Sequence, residues 1–207
     1  MPIYKKFQND EAILTIEYDV DPRSPREDDN LGSMICWHGR YNLGDKHKFE
    51  DGNVFFLKLL KDVDRSEKTL DRMKSRDELF EFLETHYVIL PVYLYDHGSL
   101  TIQTTAFSCP WDSGQVGWIF VSHKKVRKVY GVKRVNKALR LKVLNSLKSE
   151  VETYNHFLNG DVYGFVLKNL DGQKIESCWG LYGSDFYSNG LAEHIPTEYI
   201  NMIEGIA

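Results

Sequence analysis

The sequence predicts an α+β fold, a mostly antiparallel sheet of hairpins with one long amphipathic helix and one or two further helices, in a single domain spanning residues 1–207. Three observations carry that expectation. Strand-like runs come in pairs joined by tight turns at His97-Gly98 and Asp171-Gly172. Helical periodicity falls between those pairs, most clearly over residues 135–158. No internal repeat, and no linker long enough to divide the 207 residues, interrupts the pattern.

Residues 11–19 alternate Ala12, Leu14, Ile16 and Tyr18 against Ile13, Thr15 and Glu17, the period of a strand with one face more buried than the other. Residues 21–30 (DPRSPREDDN) hold two prolines and no apolar residue, which predicts an exposed loop. Met34-Ile35-Cys36-Trp37 is the next strand. Over 66–87, Leu70, Met73, Leu79, Phe80, Phe82 and Leu83 lie between charged residues, with Ser66 or Ser75 as N-cap, predicting one helix or two in succession. Residues 88–96 and 100–105 form a hairpin, and 117–122 (GWIFVS) a third strand beside it. Ser122 caps a short helix ending at Gly131, and 135–158 is a long helix with apolar residues at 135, 139, 143, 144, 147, 151, 154, 157 and 158, closed by Gly160. A hairpin over 162–170 and Lys174–Tyr182 follows, and a short helix over 196–203 ends the pattern.

Composition excludes several classes. With 42% apolar residues and a net charge of −4, the chain is not a disordered polyelectrolyte, and 15 Gly with 6 Pro are too few for collagen-like or low-complexity sequence. No apolar run approaches the ~20 residues of a membrane span. The opening MPIYKK is charged and no apolar stretch with a cleavage site follows, so no secretory signal is expected. Three cysteines (Cys36, Cys109, Cys178), odd in number and widely spaced, suit reduced cytosolic thiols. The net charge conceals a pattern. Residues 1–122 carry 14 Lys+Arg against 21 Asp+Glu, 123–148 carry 10 against 0, and 149–207 carry 2 against 9, giving −7, +10 and −7.

The densest collection of chemistry is Ser108-Cys109-Pro110-Trp111-Asp112-Ser113-Gly114-Gln115-Val116-Gly117-Trp118, a turn-rich loop between strands. Trp111, Ser113 and Gln115 are its candidate binding residues. As a hydrolase, it would use Cys109 as nucleophile, His97 as base and Asp112 or Asp96 as orienting carboxylate. The competing reading buries Trp111 and Trp118 in the core and spends Asp112 and Ser113 on backbone amides. Each cysteine has a tryptophan beside it or two residues on, which would allow a shared aromatic cluster. Two further loops, 39–45 and 178–185, again mix aromatics, glycine and acids and are candidates to converge with the first. The 39–45 loop lacks a phosphate-loop pattern.

No CxxC, HxxxH or HExxH occurs; an acidic loop (Asp19, Asp21, Glu27, Asp28, Asp29) has oxygen ligands for Mg²⁺ or Ca²⁺ but lacks the spacing of a calcium loop and reads better as a solvated loop, so neither metal nor cofactor is expected. In the basic segment 123–148, Lys133, Lys137 and Arg140, with Arg134 beside them, are spaced to share one helical face. Such a stripe can meet nucleic-acid phosphates or an acidic protein, or can be a solvated face balancing the acidic remainder.

LPVYLYDHGSLTIQTTAFSCPWDSGQVGWIFVSHKKVRKVYGVKRV, the upstream MICWHGRYNLGDKH, and the downstream VETYNHFLNGDVYGFVL with SCWGLYGSDF together resemble an uncharacterised protein family of bacteriophages and other bacterial mobile elements, over roughly residues 11–190. The resemblance implies a setting, the cytoplasm of a bacterial host. It also implies a function class: accessory proteins of such elements often inhibit host defence by binding CRISPR or restriction effectors, so the expected partner is a host defence protein or nucleoprotein. Wholesale DNA mimicry does not fit a chain of net −4 with a +10 block. The alternatives are a hydrolase built on Cys109, His97 and Asp112, and a nucleic-acid-binding accessory protein using the basic segment.

Overall fold

In chain order the elements are β1 (Ile3–Gln8), β2 (Ala12–Tyr18), a 3-10 turn (Pro25–Glu27), β3 (Ser33–Cys36), α1 (Gly52–Val63), α2 (Arg76–Glu84), β4 (Tyr87–His97), β5 (Ser99–Gln103), β6 (Ser113–Ser122), α3 (His123–Tyr130), α4 (Lys137–Asn159), β7 (Val162–Asn169), β8 (Lys174–Tyr182), α5 (Leu191–His194) and a final 3-10 turn (Thr197–Met202). They are seen in a computed structural model that describes residues 1–63 and 76–203. Its two antiparallel sheets and several helices make the fold α+β. Contacts group the chain into two compact units, residues 1–25 with those from 153 onward, and residues 26–152; the division falls inside α4.

The first unit is built on a sheet of order β1-β2-β7-β8. Asn9 turns the β1–β2 hairpin, its Oδ1 accepting from the backbone N–H of Glu11 (2.9 Å) and Ala12 (2.7 Å). β2 then pairs with β7 in a register that sets Leu14 against Leu167 and Ile16 against Phe165. All four side chains are buried, each worth ~1.5–3 kcal/mol of apolar transfer. The expected alternation holds: Ala12, Leu14 and Ile16 face the core. The β7–β8 turn uses Gly172 at φ 82°. Farther along the same strand pair, Gly164 opposes Trp179-Gly180 in a bulge, and a Cβ at 164 would lie 2.1 Å from the Trp179 indole.

The second unit carries a sheet of order β3-β6-β4-β5. Its core gathers Phe55, Phe56 and Leu59 of α1, Leu83 of α2, and Tyr87 and Ile89 of β4, with Trp118 packed against them. Sequence reading leaves α1 unassigned; Asp51 begins it, its Oδ1 accepting from Val54 N–H at 2.8 Å. Of the helix expected over 66–87, the described part is α2; Leu70, Met73, Ser66 and Ser75 lie outside the described residues. Ser122 caps α3 by accepting from Lys125 N–H (3.1 Å), and Gly131 ends it at φ 64°. Asn136 caps α4 through Leu139 N–H (2.8 Å), so this helix starts at Lys137, two residues later than expected. Lys133 and Arg134 therefore precede it and share no helical face with Lys137 and Arg140.

The acidic, proline-containing stretch after β2 is not the fully exposed loop its composition suggests. The side chain of Arg26 is 4% exposed. Its guanidinium donates to both carboxylate oxygens of Asp45 (2.8 and 3.1 Å), to Glu150 of α4 (3.0 Å) and to Gly32 carbonyl (2.9 Å). Glu150 in turn accepts from the backbone N–H of Leu31 and Gly32, and Asp45 from Met34 N–H. Burial by itself would lower the Arg26 pKa; the hydrogen bonds and charge of Asp45, then Glu150, more than offset it.

Candidate functional site

Only residues 108–112 of the Ser108–Trp118 stretch form a loop; Ser113–Trp118 are the first part of β6, which pairs with β4 at the centre of the second sheet. Tyr95 pairs with Ser113, and Asp96 N–H donates to Asp112 carbonyl at 2.8 Å. A bulge shifts the β4–β6 register between Val92 and Tyr93, leaving Val116 as the extra residue, whose carbonyl accepts from Trp37 N–H at 2.8 Å. Gly117 makes β3 and β6 fit here: a Cβ on it would lie 2.1 Å from Ile35 O.

On this frame, Asp112 Oδ2 takes two contacts, from His97 Nδ1 at 3.2 Å and from the Cys109 thiol at 3.9 Å. Ser113 Oγ donates to Cys109 carbonyl, and Gln115 donates to Gly117 carbonyl at 3.2 Å. The three residues of the hydrolase reading are thus close, in the order cysteine, aspartate, histidine. A nucleophile is activated by a base that takes its proton, with the carboxylate behind the base. Here the carboxylate stands between the other two, and it is the thiol's described hydrogen-bond partner.

Trp111 is 90% exposed. That overturns the competing reading, in which Trp111 is buried beside Trp118; of the two, only Trp118 joins the core, against Phe56 and Phe80. Around Trp111, a shallow cavity of about 320 Å³ is lined by His38, Arg40, Leu94, Asp96 and residues 111–114 with Val116. Arg40 pairs with Asp96 and lies 5.4 Å from the Tyr41 ring centroid, and His38 stacks on Tyr41 at 5.0 Å. Two of the stretches expected to converge, 39–45 and 108–118, both contribute to this cavity. Residues 178–185 are in the other unit, where 178–182 form the end of β8. Tyr41 belongs to the 39–45 loop that the sequence marks by its mix of aromatic, glycine and acid, whereas His38 had no signal of its own; antiparallel pairing of β3 with β6 delivers both.

The other sequence candidates separate into two groups. Lys133, Arg134 and Lys137 are exposed, whereas Arg140 is tied down, its guanidinium donating to the carbonyls of Glu84 (3.1 Å) and Tyr87 (3.2 Å) and pairing with the Glu84 carboxylate (3.2 Å). Cys36 is buried, its thiol pushed up to about 12, chiefly by desolvation with Asp45 adding to it. With Trp111 in solvent, the cysteine-tryptophan pairs form no common cluster. Among the described residues, no three His, Cys, Asp or Glu side chains are grouped to hold a metal ion, and no helix is long and apolar enough to cross a membrane.

Comparison of the chain with protein-family models, with curated proteins and with solved structures found no match.

Proposed function

We propose that the chain inhibits a bacterial defence system, in the manner of anti-CRISPR or antirestriction proteins, by binding a protein or nucleoprotein effector through the surface around Trp111. The observation that carries this reading is the 90% exposure of Trp111 on a loop pinned by strand hydrogen bonds. A tryptophan left in water forgoes its burial energy within the fold, and tryptophan is among the residues that most often anchor an interface. Its surroundings, the Arg40–Asp96 and His97–Asp112 pairs, offer both signs of charge and so suit a protein surface more than a polyanion alone. The defence setting comes from the resemblance to mobile-element proteins. The order of contacts at Asp112 supports binding over hydrolysis.

The test is plating of restricted phage on bacteria that express the chain alongside one defined CRISPR or restriction system. Wild type is expected to restore plating against at least one system. Trp111→Ala is expected to lose that protection, with effector binding weakened at least ~30-fold, the equivalent of a ~2 kcal/mol hot spot. Cys109→Ser retains it. Absence of protection by wild type, or full protection by Trp111→Ala, overturns the reading, and loss of protection by Cys109→Ser alone would favour the hydrolase.

A second reading, nucleic-acid binding, is favoured by one observation. Exposed Lys133, Arg134 and Lys137 gather at the N-terminus of α4, whose first turn holds no acid. Cations at that end oppose the helix dipole, a cost that an anionic partner would remove. DNA or RNA affinity at low salt should fall when the three become Glu, and the salt slope should shrink by up to ~0.9 for each phosphate that is no longer neutralised. Unchanged affinity disposes of this reading.

A further inference from the structure

Within residues 26–152 lies a second cavity, of about 620 Å³, bordered by α1, the start of β4 and α3. It shares no lining residue with the Trp111 surface. Its volume is that of a small-molecule site. Phe49, Tyr87 and Phe120 supply aromatic wall. The charged lining residues are not equivalent. Lys58 pairs with Asp62 one helical turn away, and Lys125 donates to Asn30 carbonyl at 2.8 Å. Lys124 and Arg127, three residues apart on α3, are exposed and have no acidic partner among the described residues. His123 also lines the cavity; its ring bonds the backbone of Thr85, while Nε2 is closed to solvent and has no partner among the described residues.

We infer that this cavity binds a small anionic ligand with a flat aromatic body, the chemical class of a nucleoside monophosphate, its charge held by Lys124 and Arg127 and its ring by Phe49, Tyr87 and Phe120. Both halves are needed. An uncharged aromatic would leave the two cations unused, and a bare anion would leave the aromatic wall uncovered.

The experiment is calorimetric titration of the full chain with AMP, adenosine and inorganic phosphate, with intermolecular NOEs read from the adenine protons. AMP should bind saturably, at least about tenfold tighter than adenosine or phosphate, as one charge-assisted contact implies. The adenine protons should show NOEs to the Tyr87 and Phe120 rings. Lys124→Glu with Arg127→Glu, two exposed positions, should cost AMP at least that tenfold and leave adenosine unchanged. Trp111→Ala should leave AMP binding intact, which separates this site from the proposed effector surface. AMP binding no tighter than adenosine, no NOE to either ring, or a double variant that binds AMP like wild type overturns the inference.

Discussion

Single atoms decide several features here. A Cβ at position 117 would lie 2.1 Å from Ile35 O and 2.9 Å from Cys36 Sγ, while one at position 114, on the same strand, would meet nothing within 4 Å. Gly117→Ala should therefore destabilise the chain by ~2 kcal/mol or more through forced separation of β3 from β6, and Gly114→Ala should be close to neutral. Urea unfolding midpoints of the two variants check this, and equal midpoints would refute it. The thiols differ in the same local way. Cys36 is buried and Cys109 and Cys178 are partly exposed. Mass mapping after brief alkylation of the native protein should find Cys36 unmodified, and modified only once denaturant is added. Sequence reading singled out the 108–118 stretch but could not tell which tryptophan, 111 or 118, goes inward. Both sit among turn residues and strand ends; Trp118 goes inward within β6, against Phe56 and Phe80, while Trp111 falls in the loop before that strand.

At the scale of elements, caps and turns were the most legible part. Ser122 with Gly131, Gly160, and Asp171-Gly172 all act where local chemistry places them, because a cap or tight turn is set by a few consecutive residues. Ser122→Ala should cost ~1 kcal/mol, read from the thermal midpoint. Long-range ties were not legible. Arg26 stood in a stretch with every compositional mark of a solvated loop, yet it joins that loop to Asp45 and to Glu150 on α4. Arg26→Ala should cost ~3 kcal/mol, the low end for breaking a buried pair, since Asp45 and Glu150 keep some solvent. That loss should change little between low and high salt, because the network is shielded from bulk ions. A loss below ~1 kcal/mol, the ordinary worth of an exposed pair, or one that disappears in salt, would show the network to be peripheral. Arg140 gives the converse case. Counted in the sequence as part of a basic stripe, it is committed to Glu84 and Tyr87 carbonyl.

At the scale of the whole molecule, three buried acids among the described residues hold their protons more tightly than usual. Burial pushes the Cys36 thiol from its ordinary 9.0 to about 12 and the Tyr87 hydroxyl from 10.0 to about 12, and it raises Tyr163 as well. Between the ordinary and the raised values the unfolded chain has released protons that the fold still holds. The contribution of these groups to stability is fully present below about pH 9 and should decline as pH rises toward 12, by up to ~1.4 kcal/mol per pH unit for each group. Thermal midpoints should fall from pH 9 to 11, less so for Cys36→Ala measured against its own neutral-pH value; a flat profile would contradict the burial of these groups. Fold class, most strands, the α3 and α4 helices and the uneven charge were determined by the sequence itself, since periodicity, capping and composition are local properties. Tertiary structure alone decided that β1 and β2 pair into a sheet with β7 and β8, that Asp112 stands between His97 and Cys109, and that Trp111 faces water beside Arg40 and His38. These are contacts between residues distant in the chain, and strand pairing, register and bulges set them through the summed packing of the whole fold.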